Sequence, residues 1–155
     1  MNIFIRLLFV FLIFFANSCS KKEEKISIIQ EKEINLQMIE AYKEGMKAFK
    51  EGDSLFAAKK FNEAEILFPQ SEWAPRSILM AAYAYYYQDY YWDAISELER
   101  FIKKYPGHER LDYAHFLLAI CYYEQIVDEK KDIGPLISAE KELKFVVKNY
   151  PDTDF

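Results

Sequence analysis

The chain has 155 residues, of which 52% are hydrophobic and 17% aromatic, and its formal net charge is −5. This length suits a single domain with its own hydrophobic core. The acidic balance argues against a nucleic-acid partner, because nucleic acids are bound by clustered Lys and Arg side chains.

Residues 1–18 have the pattern of a secretory signal peptide. Arg6 is the only charge before an apolar run, Leu7 to Phe15, that is shorter than the roughly 20 residues needed to cross a bilayer. Small residues then precede Cys19, an order that resembles the lipobox of bacterial lipoproteins. The resemblance implies a lipid anchor of acyl chains such as palmitate on Cys19, and Ser20 after it favours the outer membrane. An uncleaved anchor or a plain cleaved signal is the alternative.

Residues 19–37 contain the lipidated cysteine and a segment rich in Lys and Glu, which we interpret as a charged tether. Fully stretched, the segment from Ser20 to Gln37 would reach on the order of 60 Å, at about 3.3 Å per residue. Such a reach is enough to hold a domain away from the lipid surface.

After the tether, the chain repeats one pattern three times. Small residues recur 37 positions apart, at Gly45, Ala82 and Ala119, and a small side chain lets the two helices of a hairpin approach closely. The third unit is eight residues longer, and its additional residues fall in Asp128 to Ser138, which predicts an enlarged loop. Since proline cannot continue a helix, an aromatic–Pro pair ends each unit. The pairs are Phe68-Pro69, Tyr105-Pro106 and Tyr150-Pro151.

This pattern resembles the tetratricopeptide repeat, which has small residues at its eighth and twentieth places and proline at its thirty-second. Gly45, Ala57 and Pro69 match those places in the first unit. The resemblance implies an all-α fold, a tetratricopeptide-like superhelix of stacked helical hairpins over residues 38–155. About three repeats are present, at about 38–70, 71–106 and 108–151.

The sequence contains no motif of an enzyme. A phosphate-binding loop, HExxH, CxxC and a nucleophile elbow are all missing. His108 and His115 would lie two turns apart on a continuous helix, too far to share a metal without other ligands, and His108 follows a Pro-Gly pair that places it outside the helix. Cys121 lies among apolar residues and is expected to be buried. We therefore expect no catalysis, no cofactor and no metal.

In tetratricopeptide stacks the first helix of each pair lines a concave groove, and the resemblance places many rings there. Such a groove suits an extended, apolar, aromatic peptide segment. Arg76 could pair with a carboxylate of that peptide, or with Glu72 four residues earlier. The rings could alternatively pack helices together, as we expect of Tyr85. The candidate groove residues are Tyr42, Met46, Phe49, Arg76, Leu79, Tyr83, Tyr86, Tyr87, Tyr113, Phe116, Ile120 and Tyr123.

From Phe15 onward the chain resembles the BamD family, lipoproteins of the outer-membrane barrel-assembly (BAM) machinery. The segments AYAYY and FIKKYPGHERLDYA are the most specific. The resemblance implies a scaffold on the periplasmic face of the outer membrane. Its partners would be BamA, the other BAM lipoproteins and unfolded β-barrel proteins with aromatic-ended targeting segments. A pilotin that escorts pilus secretins is the alternative. BamD proteins have about two further repeats, so we expect a C-terminally truncated chain.

Overall fold

A computed structural model describes residues 28–126 and 132–155. In those two ranges it contains helices and no strands. This confirms the all-α fold. The predicted signal peptide, Cys19 and the first part of the predicted tether, up to residue 27, lie outside the described residues. No helix in the described ranges is long and apolar enough to cross a membrane. The helices are α1 (Ile28–Lys50), α2 (Ser54–Leu67), α3 (Trp73–Tyr87), α4 (Tyr91–Lys104), α5 (Leu111–Tyr123) and α6 (Gly134–Asn149).

The described helices form three hairpins, α1–α2, α3–α4 and α5–α6, and each helix packs on the next one in the chain. The first helices also touch one another, since the ring of Phe49 on α1 lies 5.6 Å from that of Tyr83 on α3. The second helices are joined by Arg100 on α4, which donates a hydrogen bond of 3.0 Å to Glu65 on α2. First and second helices therefore form two layers with a common core between them.

Small side chains lie where the helices of each hairpin cross. A Cβ atom added to Gly45 would lie 2.8 Å from Cε1 of Phe61, which is completely buried on α2. Ala82 and Ala119 occupy the equivalent places on α3 and α5 and are also completely buried. A larger side chain at any of these places would force the paired helices apart.

Caps and turns define the helix ends. Gly52 has φ +88°, a conformation that favours glycine, and it lets the chain reverse between α1 and α2. Asp53 then caps α2, because its carboxylate accepts a hydrogen bond of 3.1 Å from the backbone N–H of Phe56. Helices α2, α4 and α6 each end two residues before a proline.

The helix α1 begins at Ile28, inside the segment that the sequence analysis assigned to the tether. The residues of this segment include Glu31, Lys32 and Glu33, which are strong helix formers. The helix therefore extends about three turns before the first repeat, because local propensity favours it even where the side chains are mostly exposed.

The enlarged loop predicted over Asp128 to Ser138 is wrong from Gly134 onward, and its residues 128–131 lie outside the described ranges. Helix α6 begins at Gly134, so Gly134 to Ser138 are helical. Pro135 stands in the first turn, where a missing N–H costs no intrahelical hydrogen bond and the fixed φ of proline suits a helix. The Gly-Pro pair, which predicts a loop from sequence, here starts a helix.

Candidate functional site

A row of aromatic rings from α1 and α3 lies along the layer of first helices. The Phe49 ring centroid lies 5.6 Å from that of Tyr83 and 5.4 Å from that of Tyr87. Tyr83 in turn lies 6.2 Å from Tyr86. These separations are in the range where ring pairs attract one another. Tyr87 keeps 59% of its surface exposed, so the row is open to solvent.

An open cavity of about 440 Å³ adjoins this row. Five of the twelve candidate groove residues line it, and they come from all three first helices. Its volume is in the range of about 300–1,000 Å³ that is typical of ligand pockets. The lining residues are Tyr42, Arg76, Leu79, Met80, Tyr83, His108, Glu109, Arg110 and Tyr113. The structure thus places part of the predicted set around one concave space with apolar walls and several basic groups.

Arg76 on α3 is exposed at this cavity. Its guanidinium lies 5.6 Å from the ring centroid of Trp73, a cation–π arrangement, and Trp73 packs edge-on against Tyr42 at 5.1 Å. In the described part of the chain Arg76 forms no ion pair with Glu72, the alternative partner considered above. The positive charge of Arg76 therefore remains available to an acidic group in the cavity.

Burial favours the neutral form of two tyrosine hydroxyls at the cavity, those of Tyr42 and Tyr113. Burial raises the pKa of Tyr113 to about 12. Burial also raises the pKa of Tyr42, although the nearby charge of Arg76 acts in the opposite direction. Neutral phenols can both donate and accept hydrogen bonds. These two groups can therefore form hydrogen bonds with a peptide backbone without adding charge to the site.

Other candidate groove residues lie away from the cavity. Phe116 on α5 stacks with Phe155 at a centroid distance of 5.5 Å, and Phe155 also lies 5.2 Å from Tyr113. Met46 and Ile120 are half-buried. Tyr123 is 59% exposed and lies beside α6, where it borders a separate apolar depression. The predicted set therefore does not form a single pocket.

The turn between α4 and α5 supplies cavity residues that the sequence analysis missed. His108 packs its ring against Phe101 at 5.2 Å, and its Nδ1 accepts a hydrogen bond of 3.1 Å from the backbone N–H of Arg110. Glu109 completes the turn at the cavity rim. The signal that could have found them is the Pro106-Gly107 pair, which brings the chain back toward the first helices.

A second missed feature is a buried pair between α5 and α6. Nδ1 of His115 lies 2.6 Å from a carboxylate oxygen of Glu142, and both residues are at least nine-tenths buried. The Phe145 ring lies 4.2 Å from the His115 ring. The hydrogen bond with His115 holds the pKa of Glu142 below its ordinary value, although burial acts in the opposite direction. This pair stabilises the third hairpin and does not line the cavity.

Cys121 and the acidic residues give no sign of chemistry in the described ranges. Cys121 is completely buried, as predicted, and burial raises the pKa of its thiol to about 12. His, Cys, Asp and Glu form no group of three or more that could hold a metal ion there. Tyr85 is half-buried and packs against the core, which confirms the structural role expected for it.

The model of the family YfiO, described as "Outer membrane lipoprotein", matches residues 35–155. The chain belongs to this family. The matched range begins inside α1 and includes all the later helices, so the family match covers the three hairpins.

Curated relatives of this family share the name "Outer membrane protein assembly factor BamD". The relative from Caulobacter vibrioides is 39% identical over 137 residues, which are 88% of this chain and 44% of the relative. The relative from Rickettsia prowazekii is 28% identical over 99 residues, 64% of this chain and 39% of that protein. The chain thus spans less than half the length of these relatives.

Proposed function

We propose that this chain is a non-enzymatic component of the β-barrel assembly machinery of the outer membrane, and that its groove holds aromatic segments of unfolded β-barrel proteins. The assembly-factor names of its relatives support the role in assembly. The observation that carries the binding function is the open cavity between α1, α3 and α5, with aromatic walls and an Arg76 that has no ion-pair partner among the described residues.

The chemistry of the groove favours an extended aromatic peptide. Tyr83 and Tyr113 each present an apolar ring face and a hydroxyl, so they can bury a side chain and still form hydrogen bonds with a peptide backbone. Arg76 adds a charge that matches a carboxylate. Because a few central aromatic and arginine residues commonly dominate binding energy, this cluster is where we expect most of the affinity.

The location of the protein follows from the same proposal. Membership of an outer membrane lipoprotein family supports attachment to that membrane. We place the anchor on acylated Cys19, with the helical domain on the periplasmic face. In that position the domain can receive β-barrel proteins before insertion and can contact BamA and the other lipoproteins of the machinery.

The test is binding of a fluorescent peptide to the purified chain, kept in a nonionic detergent. The peptide copies an outer-membrane β-strand that ends in an aromatic residue, and fluorescence anisotropy reports its binding. Tyr86→Ala and Arg76→Ala should each weaken binding about fivefold to thirtyfold, the effect of losing about 1–2 kcal/mol. Trp92→Ala is the matched control, because that ring is 72% exposed on α4 and lies outside both the cavity and the row of rings from α1 and α3 to which Tyr86 belongs.

The peptide-binding test has three possible outcomes. Saturable binding that is weakened by the two groove variants, and not by the control, would support the proposal. A chain that is folded by circular dichroism and binds no peptide would overturn it. Equal weakening by Trp92→Ala would show that the peptide adheres to exposed rings in general and not to the groove.

A further inference from the structure

A separate pocket of about 600 Å³ lies at the edge of the stack where α5 ends and where α4 and α6 begin. We call it the edge pocket. It shares no described lining residue with the cavity between the first helices. The lining residues are Tyr91, Trp92, Tyr122, Glu124, Gln125, Asp132, Gly134, Pro135 and Ser138.

Three aromatic rings form the apolar part of the edge pocket. Trp92 keeps 72% of its surface exposed. In the described part of the chain neither Trp92 nor Tyr122 pairs with another ring, whereas Tyr91 lies 6.1 Å from Tyr86. An exposed indole that stacks on no other described ring has a free π face, and such faces attract cations.

Hydrogen bonds hold the two tyrosines of the edge pocket in place. The hydroxyl of Tyr91 donates a bond of 2.8 Å to Asp89, and that of Tyr122 donates a bond of 2.9 Å to Glu99 on α4. The bond with Asp89 is the main cause that raises the pKa of Tyr91 to about 12. Burial, with a further contribution from Glu99, raises the pKa of Tyr122 to about 12. Each ring is therefore fixed beside a carboxylate.

The edge pocket is acidic as well as aromatic. Glu124 and Asp132 line it, and neither forms an ion pair with a cation of the described residues. The charge of Glu124 also contributes to the raised pKa of Tyr91, so this carboxylate acts on the pocket itself. Residues 88–99, where α4 begins, contain four carboxylates and no Lys or Arg. This excess of negative charge favours a positively charged ligand.

We propose that the edge pocket binds an exposed arginine side chain of a partner protein, with the guanidinium on the ring of Trp92 and hydrogen-bonded to Glu124 and Asp132. The edge pocket would be a second contact surface of the domain, apart from the groove. The inference does not depend on the function proposed for the groove, because the two sites have different residues.

Arginine fits this site better than lysine does. A guanidinium is planar, stacks on aromatic faces and binds carboxylates through paired N–H groups, whereas an ammonium is a compact, strongly hydrated charge. The aliphatic stem of the arginine can lie along Tyr91 and Tyr122 while its head reaches the carboxylates. The volume of about 600 Å³ is large enough for a whole side chain, since ligand pockets commonly measure about 300–1,000 Å³.

Three small probes separate charge from shape. N-acetyl-L-argininamide has the guanidinium, N-acetyl-L-citrullinamide has nearly the same shape without the charge, and N-acetyl-L-lysinamide has a charge of different shape. The full chain, labelled with ¹⁵N and kept in a nonionic detergent at pH 7, has two tryptophans and therefore two indole N–H signals. Trp73→Phe assigns them. We expect the argininamide to shift the Trp92 signal saturably, and to bind at least about fivefold more tightly than either other probe.

Variants of the lining test the assignment, with ligand-observed NMR as the readout for all of them. Trp92→Ala should weaken the argininamide about tenfold, and Glu124→Gln about threefold. Asp132→Asn should also weaken it about threefold, and it keeps an oxygen that can accept the 2.8 Å bond from the N–H of Gly134. Glu72→Gln is the control, because Glu72 is an exposed carboxylate at the start of α3, outside the edge pocket.

The inference is overturned if the argininamide and the citrullinamide bind alike, or if folded Trp92→Ala and Glu124→Gln bind the argininamide as the wild type does. Equal binding of the lysinamide would show a site for any cation and would overturn the assignment to arginine. Arg76→Ala separates the two proposals, since it should weaken the long peptide and leave argininamide binding unchanged. Argininamide binding without long-peptide binding would remove the groove function and support this inference.

Discussion

Gly45→Ala tests how closely α1 and α2 approach each other in the first hairpin. In a helix interior, alanine is favoured over glycine by about 1 kcal/mol. The new Cβ would, however, lie 2.8 and 2.9 Å from Cε1 and Cδ1 of Phe61, well inside the optimal carbon separation of about 3.5–4.0 Å. The ring cannot swing away, because it is completely buried and Tyr42 lies 5.3 Å from it. Overpacking of this kind costs about 1–3 kcal/mol, so we expect a net loss of about 0–2 kcal/mol.

A double-mutant cycle in urea denaturation measures the crowding directly. In a Phe61→Leu background the clash is relieved, and Gly45→Ala should then stabilise the chain by up to about 1 kcal/mol. Gly107→Ala is the control for the general effect of replacing a glycine, since its Cβ would meet nothing within 4 Å. If Gly45→Ala raises stability by the same amount in both backgrounds, the close crossing of α1 and α2 is not as described.

The other two predictions concern buried titratable groups. Glu142→Gln should lower the free energy of unfolding at pH 7 by about 1–3 kcal/mol, because it replaces a charged hydrogen-bond partner of His115. Since the pKa of Glu142 is depressed in the folded state, its contribution is present above the ordinary glutamate pKa of about 4.3 and is lost as the pH falls further. The difference between wild type and variant should therefore shrink below about pH 4.3 in urea titrations, and a constant difference would contradict this. Cys121 should resist iodoacetamide at pH 8 in the folded chain and react after unfolding in urea, because burial raises the pKa of its thiol to about 12. Mass spectrometry of the Cys121 peptide measures the modification, and rapid labelling of the folded chain would refute its burial.

The periodic features of this fold could be predicted from the sequence because they obey local rules. Gly45, Ala82 and Ala119 are spaced so that only small side chains stand at the crossings, and their burial confirms that interpretation. The burial of Cys121 and the packing role of Tyr85 follow from helix periodicity in the same way. Because the unit occurs three times, a prediction for one unit can be compared with the equivalent residues of the other two.

The remaining features depend on contacts between distant parts of the chain. His115 and Glu142 are 27 residues apart, and nothing in either local sequence indicates that they meet. The start of α6 at Gly134 was missed because a Gly-Pro pair is compatible with a loop or with a first helical turn. The cavity could not be predicted because its lining depends on the turn after α4 lying beside α1 and α3, which are distant from it in the sequence.

The layer of second helices carries a polar network, whereas the layer of first helices lines the cavity. On the second layer, Arg100 donates hydrogen bonds to Glu65 and Asn62 on α2 and to Glu97 on its own helix, at 2.6 to 3.1 Å. Burial alone would raise the pKa of Glu65, but hydrogen bonds from Lys104 and Arg100 hold it below its ordinary value. This network fixes α4 against α2, and hence the spacing of the hairpins to which α1 and α3 belong. Because α4 is held against α2 on that side, Arg76 on α3 can stand at the cavity with no ion-pair partner among the described residues without loosening the stack.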